Sequence, residues 1–201
     1  FGIIDSITEK ARTYPVDNTI YVFREKNKYD KGKLAFDEER YKAAFAVFKP
    51  LAVNGLVEAQ NHLGLMYQQG KGTAKNYKKA MLIYKSFAET GMADAQRRLG
   101  HMYLNGKGAP TNYKTASKWI TLAAMQGNAK AQTLLGSLYG AGLGVQKDNV
   151  RGYMWLNLST YNGDVEAIKG IGIFKTIMTQ AQIDKAQEMS DICLASDYTD
   201  C

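Results

Sequence analysis

Few residue types in this chain could do chemistry. His62 and His101 are its two histidines. An imidazole can act as a general base or a metal ligand. These two occupy different positions in successive repeats, however, and no Cys, Asp or Glu stands at ligand spacing from either. They read as surface or partner-contact residues, not as ligands or a base. Lys71 and Lys107 each stand between paired glycines, Gly70/Gly72 and Gly106/Gly108, which invites a phosphate-cradle reading. A P-loop needs GK[ST] opening a helix, and a dinucleotide fingerprint needs its glycines after a strand. Neither context exists, and the third copy carries Leu143 in the lysine position, so the glycines are assigned to turns. No set of nucleophile, base and orienter can be assembled. The acids within the repeats (Glu58, Glu89, Asp94, Asp148) lie mostly near helix ends, where the dipole and capping account for them. The expectation is no catalytic residue, no metal site and no cofactor.

The elements that would position such residues follow a period of 36. Gly55, Gly91, Gly127 and Gly163 fall on it, as do Ala59, Ala95, Ala131 and Ala167, and Gly64, Gly100, Gly136 and Gly172. Leu63, Leu99, Leu135 and Ile171, and Tyr67, Tyr103 and Tyr139, keep the same register. A fixed period of 20–50 residues marks stacked supersecondary units that present a surface. Within residues 92–127, small or apolar residues at 92, 95, 99, 102 and 103 make the stripe of an amphipathic helix. Gly106 is placed to end that helix in left-handed geometry. Asn112 is placed to cap a second helix carrying Tyr113, Ala116, Trp119, Ile120 and Ala123 on one face. Each unit is therefore a helical hairpin. The mid-helix glycines cost about 1 kcal/mol each relative to Ala. Their recurrence implies that another helix backbone passes close by.

The pattern A-Q-x-x-L-G-x-x-Y-x-x-G-x-G recurs at residues 59–72, 95–108 and 131–144, followed each time by a second-helix stretch and a terminal glycine. It resembles the Sel1-like repeat family, relatives of the 34-residue tetratricopeptide repeats. The resemblance covers at least residues 37–178. It implies an all-α fold, a right-handed α-solenoid of stacked helical hairpins with a C-terminal capping helix. It also implies a non-enzymatic role in binding other proteins. Hydrolase claims attach to cysteine-rich relatives with a disulfide in each repeat, a pattern this chain lacks. An immunity-type inhibitor of a secreted toxin is the alternative that the family also supports.

The organisation read from the sequence is an extension over 1–19, an array over 20–178 and a cap and tail over 179–201. Array units run 20–55, 56–91, 92–127 and 128–163, with the start of a last one. Residues 23–36 resemble a first helix with a shortened loop. Residues 3–11 read as a short helix, with a break at Tyr14-Pro15. Residues 167–193 begin as another first helix but place Lys175 in the tyrosine position and lack the glycine loop. Thr179 and Gln182 have the spacing of a capping box opening a final helix.

Net charge is +7 and uneven: +2 over residues 1–55, +9 over 56–163 and −4 over 164–201. The lysines are scattered over loops and second-helix starts, so the charge reads first as solubility. The partner it would favour is a protein with an acidic surface. Nucleic acid is not expected, since the clear repeats over 56–163 hold only Arg97, Arg98 and Arg151 with no interleaved aromatics. Trp119 and Trp155 share one repeat position with Val47 and Ile83, which marks an apolar core slot. No apolar run approaches the ~18–20 residues of a membrane span.

In stacked hairpins the first helices line a concave face. The non-consensus positions there are Asn61, Leu65 and Gln68; Arg97, His101 and Leu104; and Thr133 and Ser137. These form the expected partner-binding groove. Cys193 and Cys201, the chain's two cysteines, read as a small disulfide clamping the C-terminus, with two free cytosolic thiols as the alternative. Phe1 as the first residue fits either a mature, processed chain or a trimmed one; the reading is an exported protein, periplasmic or lipid-anchored upstream, and monomeric by itself, with a cytoplasmic location as the alternative.

Overall fold

The computed structural model describes residues 19–201, with side chains from Lys26 onward. The expected helix over 3–11 lies outside the described residues. Among those described there are ten α-helices and no strand. The chain falls into two compact units, one ending at Ser86 and one running from Phe87 to Cys201.

The first unit contains α1 (Thr19–Asp37), α2 (Tyr41–Val53), α3 (Val57–Gln69) and most of α4 (Tyr77–Ala88). α1 packs on α2 and α2 on α3. Ala44, Phe48, Leu51, Ala59, Leu63, Met66, Ala80, Ile83 and Tyr84 form the buried interior. The sequence stretch 23–36 is thus part of a longer helix, which the tight turn at Glu38-Glu39 connects to α2.

The second unit contains two hairpins, α5 (Ala93–Leu104) with α6 (Tyr113–Ala124) and α7 (Ala129–Ala141) with α8 (Asn149–Tyr161). It ends in α9 (Ala167–Ile177) and α10 (Gln180–Ala195). α9 packs on α8 and, more lightly, on α7; α10 also packs on α8. The capping box at the start of α10 is formed, with Thr179 and Gln182 exchanging both bonds.

Local chemistry explains the hairpins. The left-handed Gly142 ends α7, and Gly144 holds φ 72° where a Cβ would run into the carbonyl of Tyr113. The cap residues Asn76, Asn112 and Asp148 each accept a backbone N–H three residues on, at 2.9–3.0 Å. Their own N–H groups donate back to the carbonyls of Tyr67, Tyr103 and Tyr139 and close the loops. Two of the mid-helix glycines, Gly100 and Gly136, meet the helix backbone expected of them. A Cβ on Gly136 would stand 2.8 Å from Gly152 O, and one on Gly100 would stand 3.0 Å from Ala116 O. At Gly64 the neighbour is the Tyr84 ring, not backbone.

The glutamine of each A-Q pair is buried. Gln60, Gln96 and Gln132 donate through Nε2 to the carbonyls of Ala52, Ala88 and Ala124, so each first helix is tied to the end of the helix before it. Gln96 Oε1 accepts from Gln126 and Gln132 Oε1 from Asn162. Gln60 Oε1 is buried with no partner among the described residues. The apolar slot is only half as expected: Ile83 and Trp155 are buried, but Val47 and Trp119 are half-buried. Trp155 lies on α8, which both α9 and α10 cover; α6, which carries Trp119, packs against α5 and α7.

Candidate functional site

In the second unit the stripe begins on α5. Asp94, in its first turn, binds Arg97 at 2.6 Å and Arg98 at 2.7 Å, which holds two guanidinium groups side by side. Burial alone would push the Asp94 carboxyl up, but the hydrogen bonds and charges of Arg98 and Arg97 outweigh it and hold the group below the ordinary carboxylate range. His101, one turn further on, is half-buried. Burial, with the charges of Lys107 and Arg97, lowers its pKa, so the imidazole is neutral at pH 7. Its carbonyl accepts from the Asn105 side chain at 2.7 Å. Leu104 is partly buried against the unit's core.

On α7 the two predicted residues differ. Thr133 Oγ1 donates to Asp164 Oδ2 at 2.7 Å and lies 2.7 Å from Ser159 Oγ. That hydroxyl serves an internal latch. Ser137 is exposed and donates to Thr133 O. In the first unit Asn61 and Leu65 are half-buried, and Gln68 accepts from Tyr84 OH at 3.4 Å. Asn61 Oδ1 is buried without a hydrogen-bond partner among the described residues.

His62, expected at the surface or in partner contact, is half-buried and packed among aromatic rings. Its ring packs against Phe48 at 4.7 Å, Phe36 at 5.4 Å and Tyr29 at 5.6 Å, and Nδ1 lies 3.0 Å from Glu58 O. The three partners come from α1 and α2, so no local pattern around His62 announced them. Lys71, in the glycine loop, places its ammonium over the rings of Tyr41 and Phe36, at 4.5 and 5.2 Å. The loop glycines carry positive φ, as turns require.

Ile173 is a stripe residue that the sequence reading passed over. It stands 36 residues after Ser137 and 72 after His101, and it is 66 % exposed. Ile177, one turn further along α9, is 58 % exposed. The period alone would have found Ile173. At the other end of the second unit, Cys193 and Cys201 lie within disulfide distance, with Cα atoms 4.9 Å apart. The intervening loop turns through Asp197 and Tyr198, both at positive φ.

The ten described helices, built on a 36-residue hairpin period, define an all-α helical-repeat protein. The Sel1 repeat model matches residues 57–91, 93–128 and 129–164, and the chain belongs to that family. Sel1 repeat proteins are in general scaffolds for protein–protein interaction. The fold is similar to that of a Sel1 repeat protein from Oxalobacter formigenes, at 33% identity and a TM-score of 0.67, over 73% of this chain and 59% of that one. It is also similar to c5321, a protective antigen of uropathogenic Escherichia coli with an SLR fold, at 28% identity and a TM-score of 0.69, over 85% of this chain and 35% of that one. This chain thus spans less than two thirds of the length of either. No curated protein matches it. No helix among the described residues is long and apolar enough to cross a membrane.

Proposed function

We propose that this protein is a non-enzymatic scaffold that captures a protein partner on the first-helix stripes of its repeats. The observation that carries the reading is the stripe of the second unit. In one register it runs from neutral His101 to exposed Ser137 and exposed Ile173, with the guanidiniums of Arg97 and Arg98 one turn before His101 on α5. The positions that build the hairpins repeat, while these change chemistry from one copy to the next. That is how a common frame acquires specificity for one partner. The arginines suit an acidic patch on the partner and Ile173 an apolar anchor. Asn61, Leu65 and Gln68 are the corresponding positions of the first unit. The closeness of Cys193 and Cys201 supports an oxidising location such as the bacterial envelope.

The test is affinity capture with the purified chain, followed by binding measurements on the recovered protein. Arg97→Glu combined with His101→Glu is expected to weaken binding at least tenfold while leaving the fold intact by circular dichroism. Unchanged capture by that double variant removes the α5 stripe from the interface.

A further inference from the structure

α9 is a first helix without its second helix. In the two hairpins before it, the face bearing the buried glutamine and the mid-helix glycine is covered by the following helix of the same hairpin. A Cβ on Gly100 would meet Ala116 O and the Ile120 side chain, and a Cβ on Gly136 would meet Gly152 O and the Leu156 side chain. The first unit repeats the arrangement, with Gly64 under Tyr84. In α9 the same two positions are Ile168 and Gly172. Ile168 is 55 % exposed, its neighbour Val165 is 70 % exposed, and a Cβ on Gly172 would meet nothing within 4 Å. The next helix in sequence, α10, packs on α8 instead.

We propose that this open face of α9 receives one amphipathic helix from a protein partner, seated as α6 sits on α5 and α8 on α7. Earlier copies state what that helix must carry. At closest approach stands a small residue, Ala116 or Gly152, and four residues later a branched aliphatic, Ile120 or Leu156. The residue just before the small one faces the repeat tyrosine: Lys79 lies over the Tyr67 ring at 5.3 Å and Arg151 over Tyr139 at 5.9 Å. In α9 that tyrosine is replaced by Lys175, which is exposed and forms no ion pair among the described residues. The favoured charge at that position of the incoming helix is therefore reversed. The recognised pattern is an acid, then Ala or Gly, then Ile or Leu four residues after the small one.

This face is distinct from the Arg97–His101 stripe, so the two readings fail separately. The probe is a peptide copying residues 148–163, which is the cap and helix of α8, and the same peptide carrying Arg151→Glu. Both are titrated into the isotopically labelled full chain and followed by NMR. Perturbations are expected at Ile168, Gly172 and Lys175, with the Arg151→Glu peptide binding about 2–5-fold more tightly at low salt, the range of an exposed ion pair. Lys175→Glu in the protein should reverse that preference, and Ile168→Asp should abolish binding of both peptides. Circular dichroism confirms that each variant is folded. The proposal is overturned by shifts confined to the α5 stripe, by equal binding of both peptides that ignores Ile168→Asp, or by no binding at all. It is also overturned if sedimentation shows a dimer that Ile168→Asp dissociates, because a second copy would then cover the face.

Discussion

α7 and α9 stand one period apart and share their framework, yet one is sealed and the other open. In α7, Gln132 reaches Ala124 O and Asn162, and Gly136 lies against the backbone of α8. In α9 the glutamine has become Ile168 and the glycine has no neighbour. A helix-contact glycine is informative only when a helix is there to make contact. The same residue on the same register is a packing requirement in one copy and a vacant seat in the next.

Alanine at the two glycines should give opposite signs, which is the sharpest test of this contrast. Gly136→Ala forces a Cβ against Gly152 O and is expected to cost up to about 3 kcal/mol. Gly172→Ala meets nothing and removes a flexible residue from a helix, so it is expected to raise stability by about 0.5–1 kcal/mol. Urea denaturation of both variants decides it, and equal losses would erase the distinction between the two helices.

The next effect concerns how the unit is closed beyond α9. Tyr198, in the loop between the cysteines, accepts from Asn162 Nδ2 at 2.7 Å and lays its ring beside Gly127. The tail thereby supplies the last rung above Gln132. Replacing Cys193 and Cys201 together by serine is expected to lower stability by about 2 kcal/mol. Adding reductant to the unmodified chain should reproduce much of the loss. Thiol counting under non-reducing conditions should find no free cysteine, and two free thiols would remove the argument for an oxidising compartment.

Exchanging the register residues gives a smaller contrast. Gln132→Leu removes the bonds to Ala124 O and from Asn162, leaving those groups only Gly127 N and Tyr198 OH as partners, and is expected to cost about 1 kcal/mol. Ile168→Gln, on the open face, should stay within about 0.5 kcal/mol. Comparable costs would mean that α9 is covered after all.

The least effect is on pH. Folding lowers the His101 pKa, so the unfolded chain takes up a proton more readily as pH falls below the ordinary value of about 6.5. Stability from this group is present above that value and declines as pH drops through the window towards the folded pKa. His101→Gln should flatten that part of the stability profile. α9 carries isoleucine at the equivalent position, and Ile173→Gln should leave the profile unchanged.

Much of this architecture could be read from the residues because its determinants are local. Gly106 and Gly142 needed positive φ, Asn112 capped the helix it preceded, and Thr179 with Gln182 formed the box their spacing predicted. What escaped the reading depends on distant partners. Gln60, Gln96 and Gln132 were visible as a repeated polar residue, but their task appears only when the carbonyl eight residues earlier is brought alongside. His62 gave no sign of its aromatic surroundings, which come from two other helices. Nothing in residues 167–195 reveals that α10 will choose α8 over α9, because that outcome is a competition between faces and not a propensity of either helix.

The glutamine bond to the preceding helix end has a consequence for the history of such chains. Each rung spans eight residues and recurs after 36, so gaining or losing one whole repeat recreates every bond at the new junction. A gain or loss that falls within the eight residues of a rung instead leaves a buried amide facing the wrong carbonyl. Genetic recombination can therefore lengthen or shorten the protein in quantised steps without redesigning a single contact.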